Sequence, residues 1–233
     1  MSPTGDIAVV IPARDESDKI GGTVRAALGL PGADLVLVVD DGSHDQTRIL
    51  AERAGAAVVG HGTPRGKGAA METGAEAVRL LDCREGRAAP RHLLFLDADL
   101  GDTARHAGPL AEPVRRGEAD MTVAVFSSPV KLGGHGFVVK LSGAGIQRAT
   151  GWRPAQPLNG QRCLTRAAFD AARPIAGGFG AETALTIDLL RKGMRITEVE
   201  VPLAHRATGT DWRAQLHRAR QFADVSRALV RRL

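Results

Sequence analysis

Three short unbroken apolar runs recur in the first half of the chain: Ile7–Ile11, Leu35–Val39 and His92-Leu93-Leu94-Phe95-Leu96. None alternates with polar residues, so each reads as a strand buried on both faces, as in a parallel sheet covered by helices. The stretches between them carry helix signals. A helix is expected over Lys19–Leu28. A second is capped by Ser43 or Asp45, runs to about Arg53 and ends at Gly55. A third covers about Ala69–Leu81 and comes after the glycine-rich loop Gly60–Gly68, with a short strand at Ala56–Val59 before it. Strand and helix alternation of this kind predicts an α/β fold, an open and mostly parallel sheet with right-handed crossovers.

The residues at the strand ends narrow the chemistry. The first strand is stopped by Pro12 and continues into Ala13-Arg14-Asp15-Glu16. The second closes in Asp40-Asp41-Gly42-Ser43, and the third in Asp97-Ala98-Asp99. Open α/β sheets bind ligands beyond the carboxyl ends of their strands, so these loops should converge on one crevice. If extended geometry persists past Leu96, Asp97 and Asp99 point the same way. Two neighbouring carboxylates repel unless a cation lies between them. Mg2+ or Mn2+, held by one or two carboxylates together with substrate phosphates, suits that need. Lys67, between Gly66 and Gly68 and just before a helix, offers positive charge and close backbone approach to a diphosphate. Its spacing is not that of an ATPase phosphate loop.

The second half is less regular. Proline at 109 and 113 predicts a broken helix, Met121–Phe126 a strand, and Ser127–Pro157, rich in glycine, an irregular acceptor-side loop. Leu158–Thr165 should return to the sheet, a helix should cover Glu182–Arg191, and Ile196–Val201 should form a half-exposed strand. Trp212, Leu216, Ala219, Phe222, Ala223, Ser226, Leu229 and Leu233 keep helical spacing, with arginines opposite. That stripe reads as a docking face for the core, with a helix lying on a membrane surface as the alternative. Aromatic residues make up 3% of the chain and tyrosine is absent, which argues against stacking platforms for nucleic acid. A net charge of +5 leaves phosphorylated ligands and anionic lipid as partners. Cys83 and Cys163 show no metal-ligand or disulfide spacing. No signal-peptide pattern and no apolar run of roughly 20 residues is present, so a cytoplasmic location is expected, with membrane contact at most peripheral.

Together these motifs resemble a GT-A glycosyltransferase of the family 2 type, from Val9 to about Gln221. Val10-Ile11-Pro12-Ala13-Arg14-Asp15-Glu16 resembles the opening strand and nucleotide loop. Val38-Val39-Asp40-Asp41-Gly42-Ser43, with Asp45 and Thr47, resembles the second signature. Arg65-Gly66-Lys67-Gly68 resembles the third, and Leu96-Asp97-Ala98-Asp99-Leu100 the metal motif. Pro157-Leu158-Asn159-Gly160-Gln161, Gly178-Phe179-Gly180-Ala181-Glu182 and Ala204-His205-Arg206 are most similar to glucosyl-3-phosphoglycerate synthases and related mannosyl enzymes. Polyprenyl-phosphate sugar synthases come next. The phosphoglycerate synthases carry an arginine after the acceptor-loop glycines, where this chain reads Gly134-His135-Gly136-Phe137.

The resemblance implies one domain over 1–233: a nucleotide-sugar and metal half (1–102), an acceptor half (103–210) and a C-terminal amphipathic helix (211–233). It implies a metal-dependent transfer of a hexose from a UDP- or GDP-linked sugar to a small anionic acceptor, or to a polyprenyl phosphate at the membrane surface. Pro12, Ala13, Arg14, Asp15, Glu16, Asp41, Lys67, Asp97, Ala98 and Asp99 would hold the donor. Asp99, Asp97 and His205 would hold Mg2+ or Mn2+. Gly134, His135, Asn159 and Gly160 would meet the acceptor, and Glu182, with Asp99, would serve catalysis. Family 2 members generally invert, whereas phosphoglycerate-type synthases retain, so Glu182 is either a general base or an orienting group. A homodimer is left open. A sugar nucleotidyltransferase is the competing enzyme, but that class usually carries a lysine-bearing glycine loop after its first strand, where Pro12-Ala13-Arg14-Asp15 stands here. A non-catalytic nucleotide-sugar-binding module is the competing non-enzyme. Intact Asp97, Asp99, Lys67, Glu182 and His205 argue against it.

Overall fold

Along β1 (Ile7–Ala13) both alternating sets of side chains are buried. Ile7, Val9, Ile11 and Ala13 join one apolar layer with Ile20, Val24 and Ala27 of α1 (Ile20–Leu28). Ala8 and Val10 join another with Ala70, Met71, Ala75 and Val78 of α3 (Lys67–Arg84). A strand covered on both faces has no solvated side, which is why these runs carry no polar alternation. Each fully buried aliphatic side chain contributes about 1.5–3 kcal/mol relative to exposure.

The computed structural model describes residues 6–127, 136–203, 222–230 and 232. β2 (Ala33–Asp40), α2 (Thr47–Arg53), β3 (Ala57–Gly60) and β4 (His92–Phe95) complete the first series. Two 3-10 segments (Ala98–His106, Gly108–Leu110) and α4 (Glu112–Arg115) lead to β5 (Met121–Phe126). Next come α5 (Gly136–Thr150), β6 (Arg162–Leu164), α6 (Arg166–Ala171), a 3-10 turn at Gly178–Gly180, α7 (Ala181–Arg191) and β7 (Ile196–Val201). α8 covers residues 222–230. The sheet order is β3-β2-β1-β4-β6-β5-β7. β1 pairs parallel with β2 on one side and β4 on the other, so the winding reverses between β1 and β4. A crevice opens at such a reversal. β6 is antiparallel to both its neighbours, giving a mixed but mostly parallel sheet.

Four expectations change. The strand before the acidic pair stops at Phe95. Asp97 is still extended (φ −74°, ψ 148°), but Ala98 opens a 3-10 helix, so two-residue alternation does not carry through to Asp99. α3 begins at Lys67 rather than Ala69, placing the lysine in its first turn. Much of the expected Ser127–Pro157 loop is helical, as α5. The return to the sheet shrinks to Arg162–Leu164.

Of the C-terminal stripe, Leu229 is buried, Ala223 and Ser226 are half-buried and Phe222 is 42% exposed, so the docked face is shifted from the expected one and takes in Val225 and Ala228. Val225 and Leu229 pack with Val138, Ile146 and Ile187, and Arg232 pairs with Asp188 of α7. The described part of the tail therefore docks on the core, and Trp212 and Leu216 lie outside the described residues. Among the described residues no helix is long and apolar enough to cross a membrane.

Candidate functional site

The loops after β1 and β2 are fastened to each other by side chains capping backbone N–H groups. Asp15 N–H donates to Ser43 Oγ (3.0 Å) and His44 N–H to Asp15 Oδ1 (2.8 Å). Glu16 N–H donates to Thr47 Oγ1 (2.8 Å) and Ser17 N–H to Asp45 Oδ2 (3.1 Å). Asp15 adopts a left-handed conformation (φ 53°), which aspartate tolerates better than most residues. Pro12 and Ala13 end β1 beside Val39 and Asp40, while the side chains of Arg14 and Asp15 stand about half exposed at the rim. Thus Asp15, expected to meet a nucleotide, also helps to build the loop.

Asp41 is buried, and its oxygens hold the glycine-rich loop. Oδ1 accepts from Arg65 N–H (2.8 Å) and contacts His61 Nδ1 (2.7 Å), and Oδ2 accepts from Gly66 N–H (2.8 Å). His61 Nε2 reaches Thr73 Oγ1 on α3 (2.9 Å). Burial alone would raise the Asp41 carboxyl, but the Arg65 N–H, His61 and the Gly66 N–H outweigh it and hold it below the usual carboxylate range. The loop is thereby fixed immediately before Lys67.

Lys67 Nζ lies 2.8 Å from Asp97 Oδ1 and 2.7 Å from Glu182 Oε1. A cation in the first turn of a helix opposes the helix dipole, so it needs such partners. Burial pulls the ammonium down, but Asp97 and Glu182 more than compensate and keep it above its ordinary value. Gln161 Nε2 donates to the second oxygen of Asp97 (2.8 Å). Glu182 is 6% exposed in the first turn of α7, where the dipole favours the carboxylate.

Beneath them Arg162, 1% exposed, donates to the carbonyls of Asn159 (2.9 Å), Glu182 (3.1 Å) and Pro157 (3.4 Å) and to Thr186 Oγ1 (2.8 Å). Burial pulls its guanidinium down to about 10, with Glu182 and Asp97 opposing, so it stays charged at neutral pH. Two cations thus balance two carboxylates, which limits the cost of burying Arg162 and Glu182 beneath the half-buried Lys67 and Asp97.

The structure brings Lys67, Asp97, Glu182 and Gly160 together at the carboxyl edge of β4. A Cβ at Gly160 would lie 2.4 Å from Lys67 Nζ and 2.8 Å from Asp97 Oδ1, so only glycine leaves this approach open. Asn159 is buried and turned to its own turn: Oδ1 accepts from Gln161 N–H (3.0 Å), and Nδ2 donates to Gln156 Oε1 (3.1 Å). Ala98 is buried and its carbonyl accepts from Thr23 Oγ1 (2.8 Å), while Asp99 is half-buried in the next turn. Gly134, His135 and His205 lie outside the described residues. Carboxylate oxygens suit a hard divalent cation that is shared with phosphate oxygens, and at Asp97 such a cation would stand where Lys67 and Gln161 now meet the two oxygens. Among the described residues no three His, Cys, Asp or Glu side chains form a ready-made metal cage.

Sequence reasoning missed Gln161, Arg162, His61 and Thr73. Gln161-Arg162 carried a usable signal, because two polar residues inside the stretch expected to return to the sheet, Leu158–Thr165, need partners there. His61 and Thr73 carried none.

The glycosyl transferase family 2 model matches residues 8–135. Glycosyltransferase AglJ of Haloferax volcanii is 29% identical over 214 residues, covering 90% of this chain and 67% of its own length. The glucosyl-3-phosphoglycerate synthase of Mycolicibacterium paratuberculosis is 30% identical over 205 residues, covering 78% of this chain, which spans only 59% of that enzyme. The glucosyl-3-phosphoglycerate synthase of Mycobacterium tuberculosis, solved with Mn2+, UDP and phosphoglyceric acid, superposes with a TM-score of 0.76 at 25% identity. It covers 97% of this chain and 78% of its own. Its complex with Mn2+, UDP-glucose and phosphoglyceric acid gives 0.73 at 26% identity, covering 97% and 80%.

Proposed function

The chain belongs to glycosyl transferase family 2, and we propose that it moves a hexose from a UDP- or GDP-linked sugar to a small anionic acceptor, using Mg2+ or Mn2+. The observation that carries this reading is the Lys67 ammonium set between Asp97 and Glu182 at the sheet's carboxyl edge. The Mycobacterium tuberculosis synthase, solved with UDP-glucose, Mn2+ and phosphoglyceric acid, supports the donor and acceptor classes.

The nucleotide end of the donor lies along Pro12–Glu16 and the Asp41 loop, whose N–H groups are already fixed. Lys67, at the end of a four-carbon stem, turns from its carboxylates toward the diphosphate. Asp99 and Asp97, with His205 as a third ligand, would hold the cation. When bound, that ion neutralises charge on the departing nucleotide diphosphate. Asn159 and Gly160, with Gly134 and His135, would border the acceptor. Glu182 takes the acceptor hydroxyl's proton or orients that hydroxyl, and Arg162, bonded to the Glu182 carbonyl, keeps its backbone in place. Lys67 leaves Glu182 as it turns, so the carboxylate becomes available only when the donor has arrived.

A thermal-shift screen of UDP-, GDP-, ADP- and TDP-sugars, each with and without Mn2+, tests this. A ligand that binds only the folded chain raises Tm. A Mn2+-dependent rise with UDP- or GDP-sugars is expected. No rise with any of them, in a folded sample, would return the chain to the non-catalytic reading.

A further inference from the structure

Glu182 is held in place beside Lys67 (2.7 Å) by elements that are remote in sequence. The 3-10 turn Gly178–Gly180 feeds directly into α7 and is pressed between two helices. On one side, a Cβ at Gly178 would lie 2.0 Å from Asp224 Oδ2 of α8. One at Gly180 would lie 2.6 Å from the Asp224 carbonyl oxygen and 2.8 Å from Ala228 Cβ. On the other side, a Cβ at Gly68, next to Lys67, would lie 2.3 Å from the Ala176 carbonyl oxygen. No side chain fits at these points, so the turn has no slack toward either helix. α8 is itself held on α7 by a two-pronged ion pair, Arg232 Nε to Asp188 Oδ1 (2.7 Å) and Nη2 to Oδ2 (2.5 Å). Val225 and Leu229 add contact with Ile187, and α5 is tied to α7 through Ser142 and Thr183 (2.7 Å).

We infer that α8 braces the site: Asp224 is a positioning residue that sets the Gly178–Gly180 turn, and through it the Glu182–Lys67 separation, with Arg232–Asp188 as the second anchor. Asp224 touches no substrate. It acts through the turn, while Lys67 keeps its own hold on Asp97 and the Asp41-fixed loop. Loosening the brace should therefore displace Glu182 and spare nucleotide binding. The inference rests on Glu182 being the acceptor-side carboxylate.

The test compares wild type, Asp224→Ala, Asp224→Asn and Glu182→Gln. UDP release from UDP-glucose is monitored with Mn2+ and phosphoglyceric acid, alongside the Tm rise given by UDP with Mn2+. Misplacing a reacting group by about 1 Å can cost on the order of 100-fold. Asp224→Ala should lower kcat by about 10- to 100-fold, with KM for UDP-glucose and the UDP-induced Tm rise nearly unchanged. Asp224→Asn, which keeps the shape, should recover most of the rate. Amide hydrogen exchange in Asp224→Ala should quicken over residues 176–183 and not over 65–70.

If Asp224→Ala does not fold, the paired exchange Asp188→Arg with Arg232→Asp replaces it. Each single change should lower kcat, and the double variant should restore it. Wild-type kcat in Asp224→Ala beside a crippled Glu182→Gln overturns the brace alone. Full activity in Glu182→Gln overturns the role of Glu182 and the brace with it. Loss of kcat matched by equal loss of UDP binding, or faster exchange spread over the whole chain, also overturns the brace.

Discussion

Two charged clusters lie at the same edge of the sheet and are built on different principles. Asp41 is held by the backbone: the N–H groups of Arg65 and Gly66 and the ring of His61, at 2.7–2.8 Å, close around its two oxygens. Such donors cannot move without unmaking the loop. Asp97 and Glu182 meet instead through one ammonium at the end of a flexible stem, 29% exposed. Backbone donors give a cluster one arrangement, while a lysine gives it at least two, since the same charge can serve carboxylates or a phosphate. The Asp41 cluster is thus fixed by the loop it holds, whereas the Lys67 ammonium is able to exchange partners.

The contrast breaks first at Lys67. Lys67→Met should weaken UDP binding in the presence of Mn2+ by about 100-fold, since hydrogen bonds to charged groups contribute roughly 1.5–3 kcal/mol each. Titration calorimetry checks this, and an unchanged Kd would show that the ammonium serves only the protein. Asp41→Ala should act in the opposite sense. It strands two backbone N–H groups and His61, and should cost about 2 kcal/mol in urea unfolding, with the slope of the transition unchanged. UDP affinity, measured well below the midpoint, should fall less than in Lys67→Met. A stable Asp41→Ala with nucleotide binding abolished would make Asp41 a ligand group in its own right.

Much of this division was legible in the amino-acid order, and the part that was not has physical reasons. Met121–Phe126 and Ile196–Val201 form strands with the expected ends, because their patterns are strong and their flanks are turn-forming. α5 was hidden by its glycines. Gly145 reads as loop-forming, but a Cβ there would lie 2.3 Å from Leu229 Cδ2, so the glycine serves α8 docking inside a helix. Nothing local announces a contact made across so many residues. The same limit applies to Arg162, whose partners are carbonyls and a threonine on two separate segments, the 157–159 turn and α7. Asp97, Lys67 and Glu182 stood out singly by motif, but their meeting at one ammonium depends on packing that no spacing encodes. Asp99 shows the converse: its motif was plain, but its geometry was inferred from a strand that ends too early.

The smallest effect concerns the fastening between the first two loops. Burial alone would raise the Asp45 carboxyl, but the Thr47 hydroxyl and N–H, then Ser17, lower it to about 2. The unfolded chain should titrate this group near ~3.9. A carboxyl depressed by folding stabilises above its unfolded value and loses that contribution as pH falls through its folded value. The contribution should therefore be complete above about pH 5 and fade between about pH 4 and 2. Asp45 is solvent-exposed, so screening should hold it to about 1 kcal/mol or less. Asp45→Asn should flatten that part of the acid limb and leave stability at pH 7 lower by the same amount. Urea unfolding at pH 7, 4 and 3 reads both arms. An acid limb identical in slope to wild type would show that Asp45 adds nothing to the fastening, leaving Ser43, Asp15 and Thr47 to hold the loops together.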